Sequence, residues 1–333
     1  MGSPFFSIII PAYNVADFIR GTISAILSQS FTDWELIIAD DASTDSTPEI
    51  LDSFRHDERI KILLSDKNSG NPFIPRKKAS DVASGQYIVI VDADDLIDST
   101  LLARIFEAIM NEKADLVIPE MWRFSDSVDE SFYILPKKEF DSSKLYRGKE
   151  LVKFTLNGWT IPMAGFGVRR EIYKEAYLRI QKSESDSIHA DELLSRHLLI
   201  LSQRVRFIDS KYFYRLNRNS VTGDPARLIR SGISTNRSLI KLCEAEFGKN
   251  SEEYNRALLQ KTLFLLSSVL LLKNSGLPRN EKNSLIRAIE SERLSTDISP
   301  VKDLISFPYR LIWRLPYKLE EQAMTLISLI KHK

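Results

Sequence analysis

Short β-rich runs alternate with helical segments throughout the first 120 residues, and this alternation constrains the fold more than any other feature. The predicted strands are apolar with few polar breaks: Phe6–Ile10, Trp34–Ala39, Ile60–Leu64, Tyr87–Val91 and Asp115–Ile118. A helical segment separates each strand from the next, which is the arrangement that places strands in parallel. Strands this apolar are buried on both faces. The pattern therefore predicts an α/β fold with a mostly parallel central sheet.

The remainder of the chain has two further patterns. Residues 125–220 are irregular and punctuated by glycine, which is typical of loops that form pockets beside a rigid sheet. After Asp224 almost every segment has helical periodicity, starting with Pro225–Phe247. We therefore predict an α/β domain at residues 1–222 and a helical region at residues 223–333.

Composition excludes several classes of protein. The 46 Lys and Arg residues nearly balance the 45 Asp and Glu residues, so the net charge is +1 and a nucleic-acid partner is not expected. The single cysteine, Cys243, excludes an intramolecular disulfide and a cysteine-rich zinc site. The longest apolar stretch, Leu263–Leu272, is shorter than the roughly 18–20 residues of a membrane-spanning helix and predicts a buried helix. No signal-peptide pattern precedes the first strand, so we expect a cytoplasmic protein.

Carboxylates gather where two of the predicted strands end. One cluster is Asp40–Asp45 after the second strand, and the other is Asp92-Ala93-Asp94-Asp95 after the fourth. Ligands of open α/β sheets bind outside the carboxyl ends of the strands, so both clusters are expected at one crevice. A divalent cation such as Mg²⁺ or Mn²⁺ would offset their repulsion and bring substrate phosphates with it. Turns and helix caps also favour Asp, and that interpretation stays open for both clusters.

Four ordered motifs resemble the family 2 glycosyltransferases of the GT-A fold, of the kind that builds bacterial surface polysaccharides. The motifs are Ser7-Ile8-Ile9-Ile10-Pro11-Ala12-Tyr13-Asn14, Ser28–Ile38, Asp40–Asp45 and Asp92–Asp95. The resemblance covers roughly residues 5–120 and returns in patches to about residue 222. It implies a GT-A catalytic domain at residues 1–222, followed by a helical C-terminal extension that the resemblance does not cover.

The resemblance implies a metal-dependent, inverting hexosyltransferase. It would move one sugar from a nucleotide diphosphate donor to a hydroxyl of a glycan or lipid-linked acceptor in polysaccharide biosynthesis. UDP is the preferred nucleotide, and GDP and dTDP stay open. Processive members of the family carry a Gln-x-x-Arg-Trp motif that this chain lacks, so single transfers are expected.

The resemblance also assigns the donor site. Pro11, Tyr13 and Asp41 would hold the nucleobase and ribose, since Tyr13 offers a ring face and Asp41 an acceptor for a base N–H. Asp92 would contact the nucleotide. The Mn²⁺ or Mg²⁺ ion would bind Asp94, with Asp95 as the alternative ligand.

Two arginines and one further carboxylate complete the expected site. Arg76 would reach the nucleotide, although it also fits a solvated start of a helix. Arg215 or Arg218 would contact the diphosphate as a fork of hydrogen-bond donors. The general base would be Asp191, with Glu192 as its alternative, and an Asp at this position also suits a helix N-cap. Three residues are expected to line the acceptor pocket: Trp159, Met163 and Gly165. His189 is a further candidate ligand.

Rival interpretations concern the chemistry and the C-terminus. Four apolar residues before Asp92-Ala93-Asp94 also fit the haloacid-dehalogenase phosphatases, although that motif belongs on a first strand and here follows three others. A non-catalytic protein that binds sugar nucleotides is the other alternative. Residues 306–333 interleave aromatic and basic side chains, which suits peripheral contact with the inner face of the membrane. The same segment also suits a helix packed on the protein with Trp313 in a core.

Overall fold

The computed structural model describes residues 2–125, 127–135, 140–156, 158, 164–180, 190–216, 224–305 and 313. The chain divides into two compact units, and nearly all of the second comes from Asn219–Lys333. The domain boundary predicted between residues 222 and 223 lies outside the described residues and stays a prediction.

Within the described residues of the first unit, ten strands form one sheet. In chain order they are β1 Phe6–Ala12, β2 Trp34–Asp40, β3 Ile60–Leu64, β4 Tyr87–Ile90, β5 Leu96–Ile97, β6 Leu116–Phe124, β7 Phe132–Leu135, β8 Leu145–Tyr146, β9 Gly167–Arg169 and β10 Val205–Arg215. Their order across the sheet is β3-β2-β1-β4-β9-β6-β10-β5, while β7 pairs with β6 and β8 with β10.

The sheet is mixed, whereas the sequence predicted a mostly parallel one. Strands β3, β2, β1 and β4 are parallel, and so are β6 and β10. The short strand β9 lies between β4 and β6 and runs antiparallel to both. Strand β9 has only three residues, too few for a recognisable pattern, so the sequence did not indicate it.

The helices of the first unit lie between these strands in the chain. They are α1 Ile19–Leu27, α2 Thr47–Asp52, α3 Phe73–Val82, α4 Leu101–Glu112, α5 Gly148–Leu151, α6 Arg170–Leu178 and α7 Ala190–Leu201. Alternate residues of a strand point to opposite faces. The even-numbered residues of β1, from Phe6 to Ala12, join a core with buried side chains of α1 and α4 such as Ile23 and Ile105. One face of β1 is thereby packed along its whole length against helices.

A buried carboxylate joins β1, β2 and the turn before β4. Glu35 Oε1 accepts hydrogen bonds from the Ser7 hydroxyl at 2.6 Å and from the Ser84 amide at 2.7 Å. Its Oε2 accepts from Lys61 Nζ at 2.6 Å. Gly85 donates to the Ser7 hydroxyl, and a Cβ there would lie 2.5 Å from the Ser7 backbone nitrogen, so only glycine fits. This network holds the N-terminal ends of the central strands in register.

The second unit is helical within its described residues. Its helices are α8 Pro225–Phe247, α9 Glu252–Asn274 and α10 Arg279–Leu294. Asp224 caps α8 by accepting from the Ala226 amide at 2.9 Å. The buried Glu292 carboxylate of α10 pairs with Arg237 of α8 and with Lys261 of α9, so one anion ties the three helices together.

Helix α9 is long and apolar enough to cross a membrane, yet 56% of its most apolar window is buried inside the protein. Core helices of soluble proteins pass the same test, so this is weak evidence for a span. The burial agrees with the buried helix predicted at Leu263–Leu272. Trp313 is also buried and packs in the core of this unit beneath the Arg293 guanidinium. Apart from Trp313, residues 306–333 lie outside the described part of the chain.

Candidate active site

The carboxyl ends of β1 and β2 form the first part of the site. The Asp41 amide donates to the Ala12 carbonyl at 2.8 Å, which holds the residue after β2 beside the end of β1. The loop after Asp41 is attached to the loop after β1, because Asn14 Oδ1 accepts from the Thr44 amide at 2.8 Å. Tyr13 projects from this edge with 44% of its surface exposed, while Pro11 is buried in β1.

Asp41 is buried at this edge, with only 3% of its surface exposed. Its Oδ2 accepts from the Ser69 amide at 2.8 Å and from the Ser69 hydroxyl at 2.7 Å. Its Oδ1 has no hydrogen-bond partner among the residues that the structure describes. Buried acceptors are almost always satisfied, so this oxygen is a candidate contact for a ligand donor.

The second part of the site is the turn Asp92-Ala93-Asp94-Asp95 after β4. The Asp95 amide donates to the Asp92 carbonyl at 3.1 Å and closes the turn. The Asp95 carboxylate is buried and accepts at both oxygens, from the Tyr212 hydroxyl at 2.6 Å and from the Arg215 amide at 2.8 Å. Burial raises the pKa of Asp95 well above its usual range, and the charges of Asp92 and Asp94 raise it further.

These contacts favour a structural role for Asp95. A carboxylate whose two oxygens already accept hydrogen bonds inside the protein is a poor ligand for a cation. Of the two metal ligands predicted, Asp94 is the better candidate, because its side chain, in the same turn, is partly exposed.

The side chain of Tyr212, in β10, holds this turn in place by hydrogen bonds. Its hydroxyl also accepts a hydrogen bond from the Asp92 amide at 3.0 Å. The ring is fully buried, and a Cβ on Gly165 would lie 2.2 Å from it. Gly165 has a φ of +69°, a conformation that favours glycine. Gly165, predicted to line the acceptor pocket, therefore makes room for the tyrosine that holds the carboxylate turn.

Arg76 and Asp92 form an ion pair across the site, with a guanidinium nitrogen 2.5 Å from Asp92 Oδ1. The Arg76 side chain is buried, whereas a third of the Asp92 side chain is exposed. Burial alone would lower the pKa of Arg76, but the charges of Asp92 and Asp191 outweigh it and raise that pKa. The site therefore contains a permanent cation that interacts with two of the predicted functional carboxylates.

The start of α3 explains why Arg76 is so placed. The helix begins at Phe73, three residues before the start predicted at Arg76. Pro75 is tolerated there, because the first amides of a helix have no intrahelical acceptor. Arg76 thus lies in the first turn with its side chain directed inward. The alternative that Arg76 is a solvated residue at the start of a helix is wrong, because the side chain is buried.

Asp191 and Glu192 lie in the first turn of α7 and have different surroundings. Asp191 is exposed, and its Oδ1 accepts from the Glu192 amide at 3.0 Å. Glu192 is 3.3 Å from the guanidinium of Arg196, which is fully buried and also donates to the Thr155 carbonyl at 2.6 Å. Glu192 balances a buried charge, which leaves Asp191 as the better candidate for proton transfer.

Arg215 supports the carboxylate turn through its backbone and side chain. Its Nε donates to the Asp94 carbonyl at 2.7 Å, and a second nitrogen donates to the Ser125 carbonyl at 3.2 Å. The guanidinium lies over the ring of Phe124, 4.3 Å from its centroid. Its predicted contact with a diphosphate stays a prediction. Four other predicted positions lie outside the described residues: Trp159, Met163, His189 and Arg218.

One carboxylate of the turn, Asp94, fits a cation that shares its coordination with a substrate. Among the described residues, no group of three His, Cys, Asp or Glu side chains could hold a metal alone. Mg²⁺ and related ions commonly bind one or two carboxylates, with water and substrate phosphates completing the shell. Asp94 offers such a ligand, while Asp92 is engaged with Arg76.

Sequence reasoning missed two residues of this arrangement, Ser69 and Tyr212. Ser69 lies in a loop with no periodic signal. Tyr212 is separated from Asp92 by 120 residues, so only the pairing of β10 with the sheet brings them together. The sequence analysis singled out Arg215, three residues further along β10, but not the hydroxyl of Tyr212.

Comparisons with known proteins bear on the family and the fold of this chain. The family model described as glycosyl transferase family 2 matches residues 7–176. Glycosyltransferase GlyG of Streptococcus pneumoniae is 26% identical over 222 residues, which are 66% of this chain and 73% of GlyG. The putative teichuronic acid biosynthesis glycosyltransferase TuaG of Bacillus subtilis is 40% identical over 108 residues, which are 32% of this chain and 42% of TuaG.

Two solved structures have the same fold. S. aureus TarS 1–349 in complex with UDP-GlcNAc aligns with a TM-score of 0.67 at 17% identity, covering 97% of this chain and 89% of that one. Mannosyltransferase PcManGT from Pyrobaculum calidifontis, in complex with GDP-Man and Mn²⁺, aligns with a TM-score of 0.55 at 15% identity, covering 99% and 88%. These alignments confirm the predicted GT-A fold. Because the family model matches half of the chain, the protein belongs to glycosyl transferase family 2 and is a glycosyltransferase.

Proposed function

We propose that this enzyme transfers one sugar, with inversion, from a UDP-sugar to a hydroxyl of a glycan or lipid-linked acceptor in the assembly of a bacterial cell-surface polysaccharide. Its relatives include a putative teichuronic acid glycosyltransferase, and a structural neighbour is a complex with UDP-GlcNAc. Neither alternative considered from the sequence is retained. The phosphatase and the non-catalytic binding protein are both inconsistent with membership of a glycosyltransferase family.

One observation carries the proposal: two separate elements bring acidic groups to a single buried arginine, which lies on a third element, α3. Asp92, at the end of β4, forms an ion pair with Arg76, and the charge of Asp191, from the start of α7, also acts on that guanidinium. Asp94 lies in the same turn as Asp92. This arrangement supports the proposal that a donor-binding and a proton-accepting carboxylate act on one substrate.

Inverting transfer is a single displacement that needs one base and a stabilised leaving group. The acceptor hydroxyl oxygen would form a bond to the anomeric carbon while the bond to the UDP oxygen breaks. The Asp191 carboxylate would take the hydroxyl proton in the same step. Arg76 would hold Asp92 in place, and Asp41 with Tyr13 would position the nucleobase.

Asp94 would hold the Mn²⁺ or Mg²⁺ ion together with the donor diphosphate. A bound divalent cation neutralises the charge that develops on a leaving diphosphate. Binding of metal is therefore expected to depend on UDP, and binding of UDP on metal.

The experiment that tests the proposal incubates the purified full chain with a panel of UDP-, GDP- and dTDP-sugars and Mn²⁺. Donor hydrolysis is measured first, since no acceptor is needed. NMR of the product formed with an accepted donor then reports the anomeric configuration. Release of UDP with inverted product supports the proposal, whereas retention at the anomeric carbon contradicts the inverting mechanism. A chain that hydrolyses no nucleotide sugar, under conditions where it is folded, contradicts the proposal as a whole.

A cytoplasmic location, with peripheral contact of residues 306–333 at the inner face of the membrane, is a second and separate part of the proposal. The aromatic and basic composition of that segment supports it. Buried Trp313 does not contribute to such contact, because its side chain packs in the helical unit. Flotation with anionic liposomes should recover the full chain but not a chain truncated after Pro300, and equal recovery of both would contradict membrane contact.

A further inference from the structure

The two oxygens of the Asp41 carboxylate have different surroundings. Oδ2 accepts hydrogen bonds from the amide and the hydroxyl of Ser69, at 2.8 and 2.7 Å. Oδ1 is buried and has no hydrogen-bond partner in the described part of the chain. An ionised carboxylate oxygen has about two acceptor positions. Ser69 therefore fills one oxygen and leaves only the other for a ligand.

The position of the Ser69 proton follows from the charges around it. The hydroxyl oxygen lies 2.7 Å from Asp41 Oδ2 and 3.1 Å from the Asn71 carbonyl. Two acceptor oxygens at 2.7 Å would repel each other without a proton between them, and hydrogen bonds to an ionised acceptor are the shorter and stronger ones. The hydroxyl proton thus points to Asp41.

A carboxylate with one available oxygen distinguishes nucleobases by their donors. Uracil and thymine present a single imide N–H between two carbonyls, which needs one acceptor. Guanine presents a ring N–H beside an amino group, and this pair needs two acceptors side by side. At Asp41 the second guanine donor would meet an oxygen whose acceptor positions are filled, and a donor buried without a partner weakens binding by about 5-fold to 100-fold.

We infer that Ser69 is a positioning residue that sets nucleotide specificity, by restricting Asp41 to one free oxygen and thereby selecting the imide N–H of uracil or thymine over guanine. The assignment rests on the proposed function, because it requires that Asp41 contacts the nucleobase. It goes beyond that function because it assigns the choice of donor nucleotide to Ser69, a loop residue that takes no part in the transfer reaction.

Calorimetry on the full chain with Mn²⁺ and UDP, dTDP or GDP tests the inference. Wild-type protein should bind UDP at least about 10-fold more tightly than GDP. dTDP presents the same imide N–H but has a 5-methyl group and lacks the ribose 2′-hydroxyl. If dTDP binds like UDP, the imide alone is selected. If dTDP binds more weakly, the 2′-hydroxyl or the space around C5 adds to a selection against GDP that remains. Ser69→Ala restores one acceptor position on Oδ2, so the ratio of UDP to GDP affinity should fall about 5-fold or more.

Two further variants separate specificity from folding. Ser69→Thr keeps the hydroxyl and should keep the ratio within about 2-fold of wild type. Ser65→Ala is the matched control in the same loop, since Ser65 accepts a hydrogen bond from Lys78 at 2.8 Å, and it should leave the ratio unchanged. Equal wild-type affinity for UDP and GDP, or an unchanged ratio in Ser69→Ala, overturns the inference while the proposed function stands. Binding of no nucleotide at all overturns the proposed function and the inference with it.

Discussion

The Tyr212 hydroxyl lies 2.6 Å from Asp95 Oδ2 and accepts the Asp92 amide at 3.0 Å, so one side chain of β10 holds both ends of the carboxylate turn. The acidic residues of that turn differ in role as a result. Asp95 anchors the turn from inside the protein, while the side chain of Asp94, in the same turn, is partly exposed.

Tyr212→Phe removes both of these hydrogen bonds and leaves the ring in place. The Asp95 carboxylate loses a donor while it stays buried, which should lower the free energy of unfolding by about 1–3 kcal/mol. We expect binding of UDP with Mn²⁺ to weaken about 10-fold, while the weaker binding of UDP without metal changes little.

The matched control is Tyr146→Phe, because that hydroxyl accepts from the Asp141 amide in an exposed region. Calorimetry with and without Mn²⁺ distinguishes the two roles of Tyr212. An equal loss in both conditions would mean that Tyr212 supports the fold in general and not the turn.

Substitutions of Asp94 and Asp191 should affect different properties of the enzyme, namely metal-dependent UDP binding and kcat. Asp94→Ala is expected to abolish the metal-dependent part of UDP binding, because it removes the candidate ligand. Asp191→Asn should leave UDP binding within about 3-fold and lower kcat by roughly 10²–10⁴, since its expected task is proton transfer. Calorimetry and turnover of an accepted UDP-sugar measure both.

Glu192→Gln is the comparison that resolves which acid is the base. Its carboxylate pairs with the buried Arg196, so its loss should reduce stability more than it reduces kcat. If Glu192→Gln lowers kcat as strongly as Asp191→Asn in protein that is folded, the base is misassigned. Equal loss of UDP binding in Asp94→Ala and Asp191→Asn would instead make Asp191 a ligand.

Gly165→Ala should be costly for two reasons that act together. The residue has a φ of +69°, and its new Cβ would meet the Tyr212 ring at 2.2 Å. We expect the free energy of unfolding to fall by about 2–4 kcal/mol, and binding of UDP with Mn²⁺ to weaken as the ring moves. Urea denaturation and calorimetry test these expectations.

Gly21→Ala provides the control for Gly165→Ala. Gly21 lies in α1, and the nearest atom to an added Cβ is 3.9 Å away. The free energy of unfolding should rise by about 0.5–1 kcal/mol, because alanine is the better helix former. Equal effects at the two glycines would contradict the close approach described for Gly165.

The positions of the acidic clusters could be predicted because they depend on local patterns. Ile60–Leu64 and Pro225–Phe247 have the bounds expected from the sequence, and the strands before Asp40 and Asp92 end within one residue of their predicted ends. Apolar runs that stop at carboxylates place those carboxylates at the edge of a parallel sheet, whatever the rest of the chain does.

The contacts that orient those carboxylates could not be predicted, because they join distant parts of the chain. Strand β10 lies in the stretch expected to be irregular. Its pairing with β6 shifts register between Phe207 and Lys211, so the alternation of buried and exposed residues breaks in the middle of the strand. Without a continuous period of two, a strand pattern is not recognisable. The hydroxyl of Tyr212 and its acceptor Asp95 are 117 residues apart, so no local pattern links them.

The buried Glu35 carboxylate makes the stability of the first unit depend on acid pH. Burial on its own would raise the pKa of Glu35, but the hydrogen bonds from Lys61, Ser7 and Ser84 outweigh it and lower that pKa to about 2. The ordinary value in an unfolded chain is 4.5. A depressed pKa in the folded state stabilises the protein above the unfolded pKa, and this stabilisation is lost as the pH falls toward the folded pKa.

Glu35→Gln should therefore remove a stabilisation that is present above pH 4.5 and declines between pH 4.5 and about 2. The difference in free energy of unfolding between wild type and variant is expected to be about 3 kcal/mol at pH 6, since one pKa unit corresponds to about 1.4 kcal/mol. Denaturation in urea at a series of pH values measures it. Asp81→Asn is the control, because its ion pair with Lys77 is exposed and should contribute less than about 0.5 kcal/mol at any pH. The depressed pKa would be contradicted if the difference in free energy of unfolding between wild type and Glu35→Gln were the same at pH 6 and at pH 3. A carboxylate with a depressed pKa in the folded protein must stabilise it less at pH 3, because the unfolded chain binds a proton there.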